Sequence, residues 1–426
     1  MAEFLIEGGT RLKGVVRASG NKNAALPLIA ATLLTDEPVT LHNVPRIRDV
    51  MTLLKLLEQL GAGVTWPAEN TVRVHAATVN QCLLDPALCR EIRASILLAG
   101  AMLARCGDIT LPPPGGDVIG RRRLDTHFLA FKALGVDVSM DRDFHLRTAQ
   151  LIGAEMMLDE ASVTATENAI MAAVKAHGTS VIRNAAGEPH VQDLCRCLVR
   201  MGAHIEGIGS NTLTIHGVPQ LGGTEFEVGA DNIEVTSFIV LSALCGDGVT
   251  IQKASPEHFA MTRLMLGKLG IRWEARGTDI FVPASTNQVL RVEPDFGGAI
   301  PKIDDAPWPG FPADALSLAL VAATQCEGSV LIHEKMFESR LYFTDRLMSM
   351  GARIVLCDPH RAVVMGRSTL RGDTVQSPDI RAGVALVIAA LCAEGQSRIS
   401  NAQQIDRGYE KFDEKLLALG AKIERR

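Results

Sequence analysis

Lys22, Arg93 and Arg381 stand at the start of strongly apolar runs, and Arg46, Arg121 to Arg123, Arg340 and Arg407 lie at or near the start of amphipathic ones. A helix N-terminus carries a partial positive charge, so acids stabilise it and cations do not. Cations recurring at that place make strong anion sites, because full charges and free backbone N–H groups point the same way. In a chain of net charge -5 this pattern predicts a substrate bearing phosphate and carboxylate, held in a cleft by local clusters. Each arginine taken singly also reads as an exposed salt bridge, a reading that the recurrence weakens for the set. Two carboxylates stand out against the basic background. Asp314 follows Pro307-Trp308-Pro309-Gly310-Phe311-Pro312, a stiff segment that could hold it rigidly, and Asp117 ends Leu111-Pro112-Pro113-Pro114-Gly115-Gly116-Asp117, whose glycines suit a lid. An acid and a base on separate elements is what proton transfer requires. Spacing alone favours the plainer readings over catalysis, a helix N-cap for Asp314 and ordinary loop polarity for Asp117.

Positioning these groups falls to a repeated unit. Leu-Gly-Ala or a near copy closes an amphipathic stretch six times, at Gly61, Gly135, Gly202, Gly270, Gly351 and Gly420, at intervals of roughly 70 residues. Glycine accepts the left-handed backbone of a helix C-cap, so each copy predicts a helix end running into a strand. A short strand precedes each such helix, and a far more apolar helix precedes that strand. In the fifth copy residues 314–323 are apolar nearly all round and predict a buried helix, 329–333 a strand and 337–350 an amphipathic helix. The sixth copy repeats the order with 381–393, 397–400 and 407–419, and the second with 93–104, 108–111 and a helix beginning near Arg122. The other buried helices start near Lys22, Glu167 and Glu234, while 71–75 and 212–216 read as further strands. Units that each leave an apolar helix face uncovered must pack together, their buried helices inside. Six units divide into two lobes of three, residues 21–229 and residues 1–20 with 230–426, with 225–231 as the hinge. An open repeat array is the alternative, although units of this length exceed common solenoid repeats.

Composition narrows the class. At 426 residues the chain exceeds one ordinary core, and 47% hydrophobic with 21% charged residues is the balance of a globular protein. Net negative charge argues against nucleic acid, whose binding draws on a basic field. Apolar runs of about a dozen residues are too short to span a bilayer. Met1-Ala2-Glu3-Phe4 lacks a signal-peptide pattern, so a cytoplasmic location is expected. The nine cysteines show no metal-binding spacing and read as reduced core fillers, with Cys195 and Cys197 expected on different faces of a helix.

The run Ser19-Gly20-Asn21-Lys22-Asn23-Ala24-Ala25-Leu26-Pro27, together with Arg93-Ala94-Ser95, the Pro-Gly-Gly-Asp loop ending at Asp117, Phe311-Pro312-Ala313-Asp314 and Ile405-Asp406-Arg407-Gly408-Tyr409-Glu410, resembles the UDP-N-acetylglucosamine enolpyruvyl transferases over essentially the whole chain. The resemblance implies an α/β fold, a two-lobed inverse α/β barrel with three similar units per lobe, helices inside and sheets outside. It implies transfer of the enolpyruvyl group of phosphoenolpyruvate to the 3'-hydroxyl of UDP-N-acetylglucosamine with release of phosphate, the first committed step of peptidoglycan synthesis, without metal or organic cofactor. Carried over by position, Lys22, Arg122 and Arg407 would surround the phosphate of phosphoenolpyruvate, Arg93 and Arg381 would complete the basic lining, and Asn23 would touch the amino sugar. Asp314 would draw the proton from the sugar hydroxyl. Asp117 sits where most members carry a cysteine that protonates the methylene carbon, and a carboxylic acid could do the same if the cleft raises its pKa. Fosfomycin, which alkylates the family's cysteine, is then expected to fail. Substrate contacts are also implied for Arg123, Leu124, Asp125, Thr126, Glu160, Ser162, Val163, Met336 and Arg340.

The chain departs from the family's pattern mainly on the nucleotide-sugar side. Arg123 replaces a proline that stacks on uracil, Glu160 a basic residue, Thr164 a glycine, Gly187 a basic residue and Gln404 a histidine, while Pro112 to Pro114 stiffen the loop. Two alternatives follow: a divergent enolpyruvyl transferase with another hydroxyl or nucleotide-sugar acceptor, and a ligand-binding homologue without turnover. The related enzyme that uses shikimate 3-phosphate shares the fold but fits these motifs poorly.

Overall fold

The computed structural model describes residues 2–116 and 123–426. They form two compact units, one of residues 20–116 and 123–229 and the other of residues 2–19 and 230–426. In the second unit the helices Asn232–Cys245, Ala313–Thr324 and Ile380–Cys392 pack against one another at the centre. Their sequences, NIEVTSFIVLSALC, ADALSLALVAAT and IRAGVALVIAALC, offer no polar face, so a helix of this kind is stable only when covered on every side. Three four-stranded sheets supply the cover. One of them orders Lys302–Asp304, Gly328–His333, Arg361–Gly366 and Ile354–Asp358, with the first pair parallel and the rest antiparallel.

The first unit repeats the arrangement around Lys22–Ala31, Leu98–Cys106 and Val163–Ala173, with two four-stranded sheets and one of three strands. Each unit is completed by a strand from a distant part of the chain. Leu12–Arg17, which leads into the Lys22 helix, pairs in parallel with Gly246–Gln252 in the second unit, and Thr224–Glu227 pairs in parallel with Val39–His42 in the first. The chain changes unit at Ser19/Gly20, where a Cβ on Gly20 would lie 1.7 Å from the Asn43 carbonyl oxygen, so only glycine fits. On the other side of that junction, Lys415 Nζ donates to Ser19 Oγ and Glu234 Oε1, both at 2.6 Å, and the Ser19 N–H donates to Glu234 Oε2 at 2.6 Å. Burial raises the Glu234 pKa and the Lys415 charge opposes that rise.

All six Leu-Gly-Ala glycines have positive φ, between 77° and 107°, as the C-cap reading requires. Several expected elements are differently bounded. The stretch 337–350 is a 3-10 turn, Arg340–Phe343, running into the short helix Thr344–Ser349, and 407–419 holds only Phe412–Ala418, so Arg407 ends a 3-10 turn, Ala402–Arg407, and opens no helix. The run from Arg93 is likewise split into a 3-10 turn, Arg93–Leu97, and Leu98–Cys106. The helix expected near Arg122 is Asp125–Ala133, and the one expected near Glu167 begins at Val163 because the Ser162 side chain caps it. Residues 225–227 of the expected hinge belong to the strand Thr224–Glu227. Among the cysteines Cys106 and Cys357 are exposed, against the expectation of core fillers, and Cys195 and Cys197 are both buried because their helix is covered on more than one face.

Candidate active site

In the second unit charged side chains meet at the starts of the interior helices. The segment before Asp314 is pinned by hydrogen bonds from the Ala306 N–H to the Phe311 carbonyl, 3.0 Å, and from the Gly310 N–H to the Pro307 carbonyl, 2.8 Å, with Phe311 buried. The N-cap of the helix is Pro312, so Asp314 sits within the first turn and does not cap it. Its carboxylate instead faces two buried guanidiniums. Arg340 Nη2 donates to Oδ1 at 2.9 Å, and Arg381 donates to Oδ2 from Nε at 2.9 Å and from Nη2 at 2.8 Å. Arg381 lies in the first turn of the neighbouring interior helix, whose N-cap Asp379 accepts from the Arg381 and Ala382 N–H groups. Burial disfavours charge on Arg381, but Asp314 and Tyr409 outweigh it and the pKa is raised. The guanidinium lies 5.5 Å from the centre of the Tyr409 ring, and the Tyr409 hydroxyl is 2.9 Å from Ser237 Oγ. A carboxylate held by directed donors has few rotamers left, a geometry suited to taking a proton from a hydroxyl held in a fixed position.

Sequence reasoning missed the support behind Arg340. Its Nε is 3.7 Å from Glu334 Oε2, and Glu334 is fully buried beside the equally buried Asp305. The signal was weak: two acids, Asp305 and Glu334, at the ends of adjacent parallel strands. Arg407 is buried too and donates from Nη1 to Gln404 Oε1 at 3.2 Å, so the residue that replaces a histidine in the family's pattern is a direct partner of a proposed phosphate ligand. Met336 is exposed, and its N–H donates to Glu334 Oε1 at 3.2 Å.

In the first unit Lys22 is the first residue of its helix, capped by Asn21, whose Oδ1 accepts from the Asn23 and Ala24 N–H groups. Lys22 Nζ forms an ion pair with the buried Asp49 at 2.7 Å. The Lys22 helix packs against the 3-10 turn that Arg93 opens. Arg93 Nη2 donates to the Arg123 carbonyl at 3.1 Å, Arg123 Nε donates to Asp125 Oδ2 at 2.8 Å, and Thr126 Oγ1 donates to Asp159 Oδ1 at 2.6 Å. Leu124 precedes the helix Asp125–Ala133, Glu160 is exposed, and Ser162 and Val163 form the N-terminus of the next interior helix. Asp117 and Arg122 lie outside the described residues.

Between those elements lies a chain that sequence reasoning did not single out. Asn168 Oδ1 accepts from the Gly100 N–H at 2.7 Å while its Nδ2 donates to the Ile96 carbonyl and to His127 Nδ1, both at 3.0 Å. That orientation makes Nδ1 the acceptor, so Nε2 carries the proton and donates to Thr164 Oγ1 at 3.2 Å. Burial, and then the charge of Arg93, pushes the His127 pKa down to about 3 and keeps the ring neutral. Thr164, one of the departures from the family's pattern, is thereby fixed by a buried network.

Among the described residues no cluster of His, Cys, Asp and Glu is placed to hold a metal ion, and no helix is long and apolar enough to cross a membrane. The EPSP synthase (3-phosphoshikimate 1-carboxyvinyltransferase) family matches residues 6–416. The UDP-N-acetylglucosamine 1-carboxyvinyltransferase of Bradyrhizobium diazoefficiens is 56% identical over 99% of this chain and 98% of its own, and that of Treponema denticola 54% identical over 100% and 99%. Among solved structures, the enolpyruvyl transferase NikO from Streptomyces tendae superposes with a TM-score of 0.88 at 25% identity, covering 100% of this chain and 98% of that one. Two units of buried helices under outer sheets, with arginine-held Asp314 at one helix start, therefore place the chain in the EPSP synthase family, among the UDP-N-acetylglucosamine 1-carboxyvinyltransferases.

Proposed function

We propose that the protein transfers the enolpyruvyl group of phosphoenolpyruvate to the 3'-hydroxyl of UDP-N-acetylglucosamine and releases phosphate, the first committed step of peptidoglycan synthesis. The observation that carries this reading is Asp314, held on both oxygens by Arg340 and Arg381 in a chain 56% identical over nearly its full length to a carboxyvinyltransferase acting on that sugar nucleotide. Asp314 takes the proton of the sugar hydroxyl as its oxygen bonds to the central carbon of phosphoenolpyruvate, while Asp117, as a carboxylic acid, delivers a proton to the methylene carbon. The tetrahedral adduct then loses a methyl proton and phosphate, leaving the enolpyruvyl ether. Lys22, Arg122 and Arg407 act on the phosphate, where negative charge builds as it leaves, and Arg93 and Arg381 add to the basic lining. Asn23, Arg123, Leu124, Asp125, Thr126, Glu160, Ser162, Val163, Met336 and Arg340 are assigned to substrate contacts, the N-terminus at Ser162 and Val163 suiting an anionic group.

The test is phosphate release from phosphoenolpyruvate with a panel of acceptors, namely UDP-N-acetylglucosamine, other UDP-sugars and shikimate 3-phosphate. Release that requires UDP-N-acetylglucosamine is expected. Release with only another acceptor would assign the chain to a paralogous reaction, for which the exposed Glu160 and the Arg123–Asp125 ion pair are the features to examine. No release with any acceptor would favour a binding protein.

A further inference from the structure

Three buried polar atoms stand together behind the Arg340–Asp314 contact without a hydrogen-bond partner: Asp305 Oδ2, Glu334 Oε2 and Arg340 Nε. Two are carboxylate oxygens, and two acceptors side by side cannot satisfy each other unless one carries a proton. Their other oxygens are occupied. Asp305 Oδ1 accepts from the Lys335 N–H at 2.5 Å, and Glu334 Oε1 accepts from the Met336 and Phe337 N–H groups at 3.2 and 3.0 Å. Both side chains are fixed by backbone donors, so neither can turn away.

We propose that Asp305 and Glu334 share one proton, and that this shared proton makes Glu334 a positioning residue that leaves Arg340 committed to the carboxylate of Asp314. The physical reason is competition for one guanidinium. Arg340 has Asp314 Oδ1 at 2.9 Å from Nη2 and Glu334 Oε2 at 3.7 Å from Nε. With the proton in place, Oε2 donates to Asp305 and is a neutral group with little hold on Arg340. Without it, two buried carboxylates lie on that side, and the guanidinium is drawn toward them and off Asp314. Burial first, and then the hydrogen bond and charge of Asp305, push the Glu334 pKa up to about 9, against the opposing pull of Arg340. The remaining charged or titratable groups around Glu334 do not supply an alternative partner. Lys335 pairs with Asp304, which also holds Lys302, and His360 Nδ1 lies 2.8 Å from the Glu334 backbone carbonyl and not from its carboxyl group. His333, the last residue of the strand before Glu334, has its pKa lowered by burial, then by Lys302 and Lys335.

The inference rests on Asp314 as the base of the proposed reaction, and its test separates the two. Infrared difference spectra of the full-length protein, titrated from pH 6 to 10, should show a protonated-carboxyl band that is present at neutral pH, lost near pH 9 and missing from Glu334→Gln. Absence of that band from the unaltered protein overturns the shared proton, whether or not the protein turns over. Phosphate release reads the positioning step. In Glu334→Gln a carboxamide donates to Asp305 permanently, so kcat at neutral pH should stay within about threefold and any fall near pH 9 should vanish. In Asp305→Asn the carboxamide favours ionised Glu334, so kcat should drop on the order of tenfold at neutral pH with KM little changed, as expected when a base is misaligned. Glu334→Ala should lose more than Glu334→Gln in kcat. Alkaline limbs that superimpose in the unaltered protein and Glu334→Gln overturn the coupling to Asp314. An infrared band without any phosphate release refutes the reading of the reaction and leaves the shared proton standing.

Discussion

Replacing Asp314 by asparagine should have two separable consequences. The carboxylate neutralises two guanidiniums whose side chains are 5% and 8% exposed. Removing one partner of a buried ion pair costs ~3–5 kcal/mol, because the remaining charge stays buried and unpaired. Asp314 is itself 29% exposed, so water shares the screening, and the carboxamide oxygen still accepts from one guanidinium. The cost should therefore lie near the lower figure, about 3 kcal/mol. For a unit of roughly 200 residues that corresponds to a fall in Tm of about 6–12 °C. The catalytic loss is of another kind, since removing a general base slows turnover ~10²–10⁴-fold, about 3–5 kcal/mol on the barrier. The assay is phosphate release from phosphoenolpyruvate and UDP-N-acetylglucosamine at least 15 °C below the variant's own Tm, with nucleotide-sugar binding followed by calorimetry. Intact binding with a kcat down by two orders of magnitude or more is the expected pair of results. A kcat within threefold of the unaltered protein, with Tm lowered, would show that Asp314 is a counter-ion for Arg340 and Arg381 and nothing more.

Fosfomycin should form no covalent adduct by mass spectrometry and leave phosphate release intact, since Asp117 stands in place of the loop cysteine and burial pushes the Cys89 thiol up to about 11 and those of Cys195, Cys197 and Cys326 up to about 12; an adduct with loss of activity at any residue would refute this. Stability should rise as pH falls from about 9 toward 4.5, because the folded pKa of Glu334 is raised above its unfolded value and the favourable proton is lost as pH climbs through it. The slope from this group is at most about 1.4 kcal/mol per pH unit, and Glu334→Gln should flatten the curve of Tm against pH over that range; an unchanged curve would count against a protonated Glu334. Gly20→Ala should cost ~3 kcal/mol or more, since the new Cβ would sit 1.7 Å from the Asn43 carbonyl oxygen. Gly277→Ala has open space around its Cβ and only a left-handed φ of 64° to pay for, about 1–2 kcal/mol; equal melting temperatures for the two variants would refute the close-approach argument at Gly20.

The parts of this protein that were legible in its sequence are those with local causes. A glycine after an amphipathic run ends a helix because only it takes positive φ cheaply, and that cause acts within a few residues, which is why all six closures could be placed. The interior helices were legible for a similar reason, since a run without a polar face has no stable exposed state. Where a cap or a tight turn decided the boundary, the reading slipped: the Ser162 hydroxyl started a helix ahead of Glu167, and 3-10 turns consumed the starts of the stretches at Arg93, Arg340 and Arg407.

What only the tertiary structure decided is which charges meet. Asp314 could have been a cap or a free carboxylate, and its place between Arg340 and Arg381 comes from contacts 26 and 67 residues away along the chain. Lys22 finds Asp49, Glu234 finds Lys415 and Ser19, and Glu334 finds Asp305 only because parallel strands and adjoining helices bring them together. An ion pair depends on distance in space and on the water excluded around it, and neither quantity is written in residue types or spacing. The sequence thus determined the units, their closures and the family, whereas burial and packing determined which of the acids at the site hold a proton and which arginines hold them.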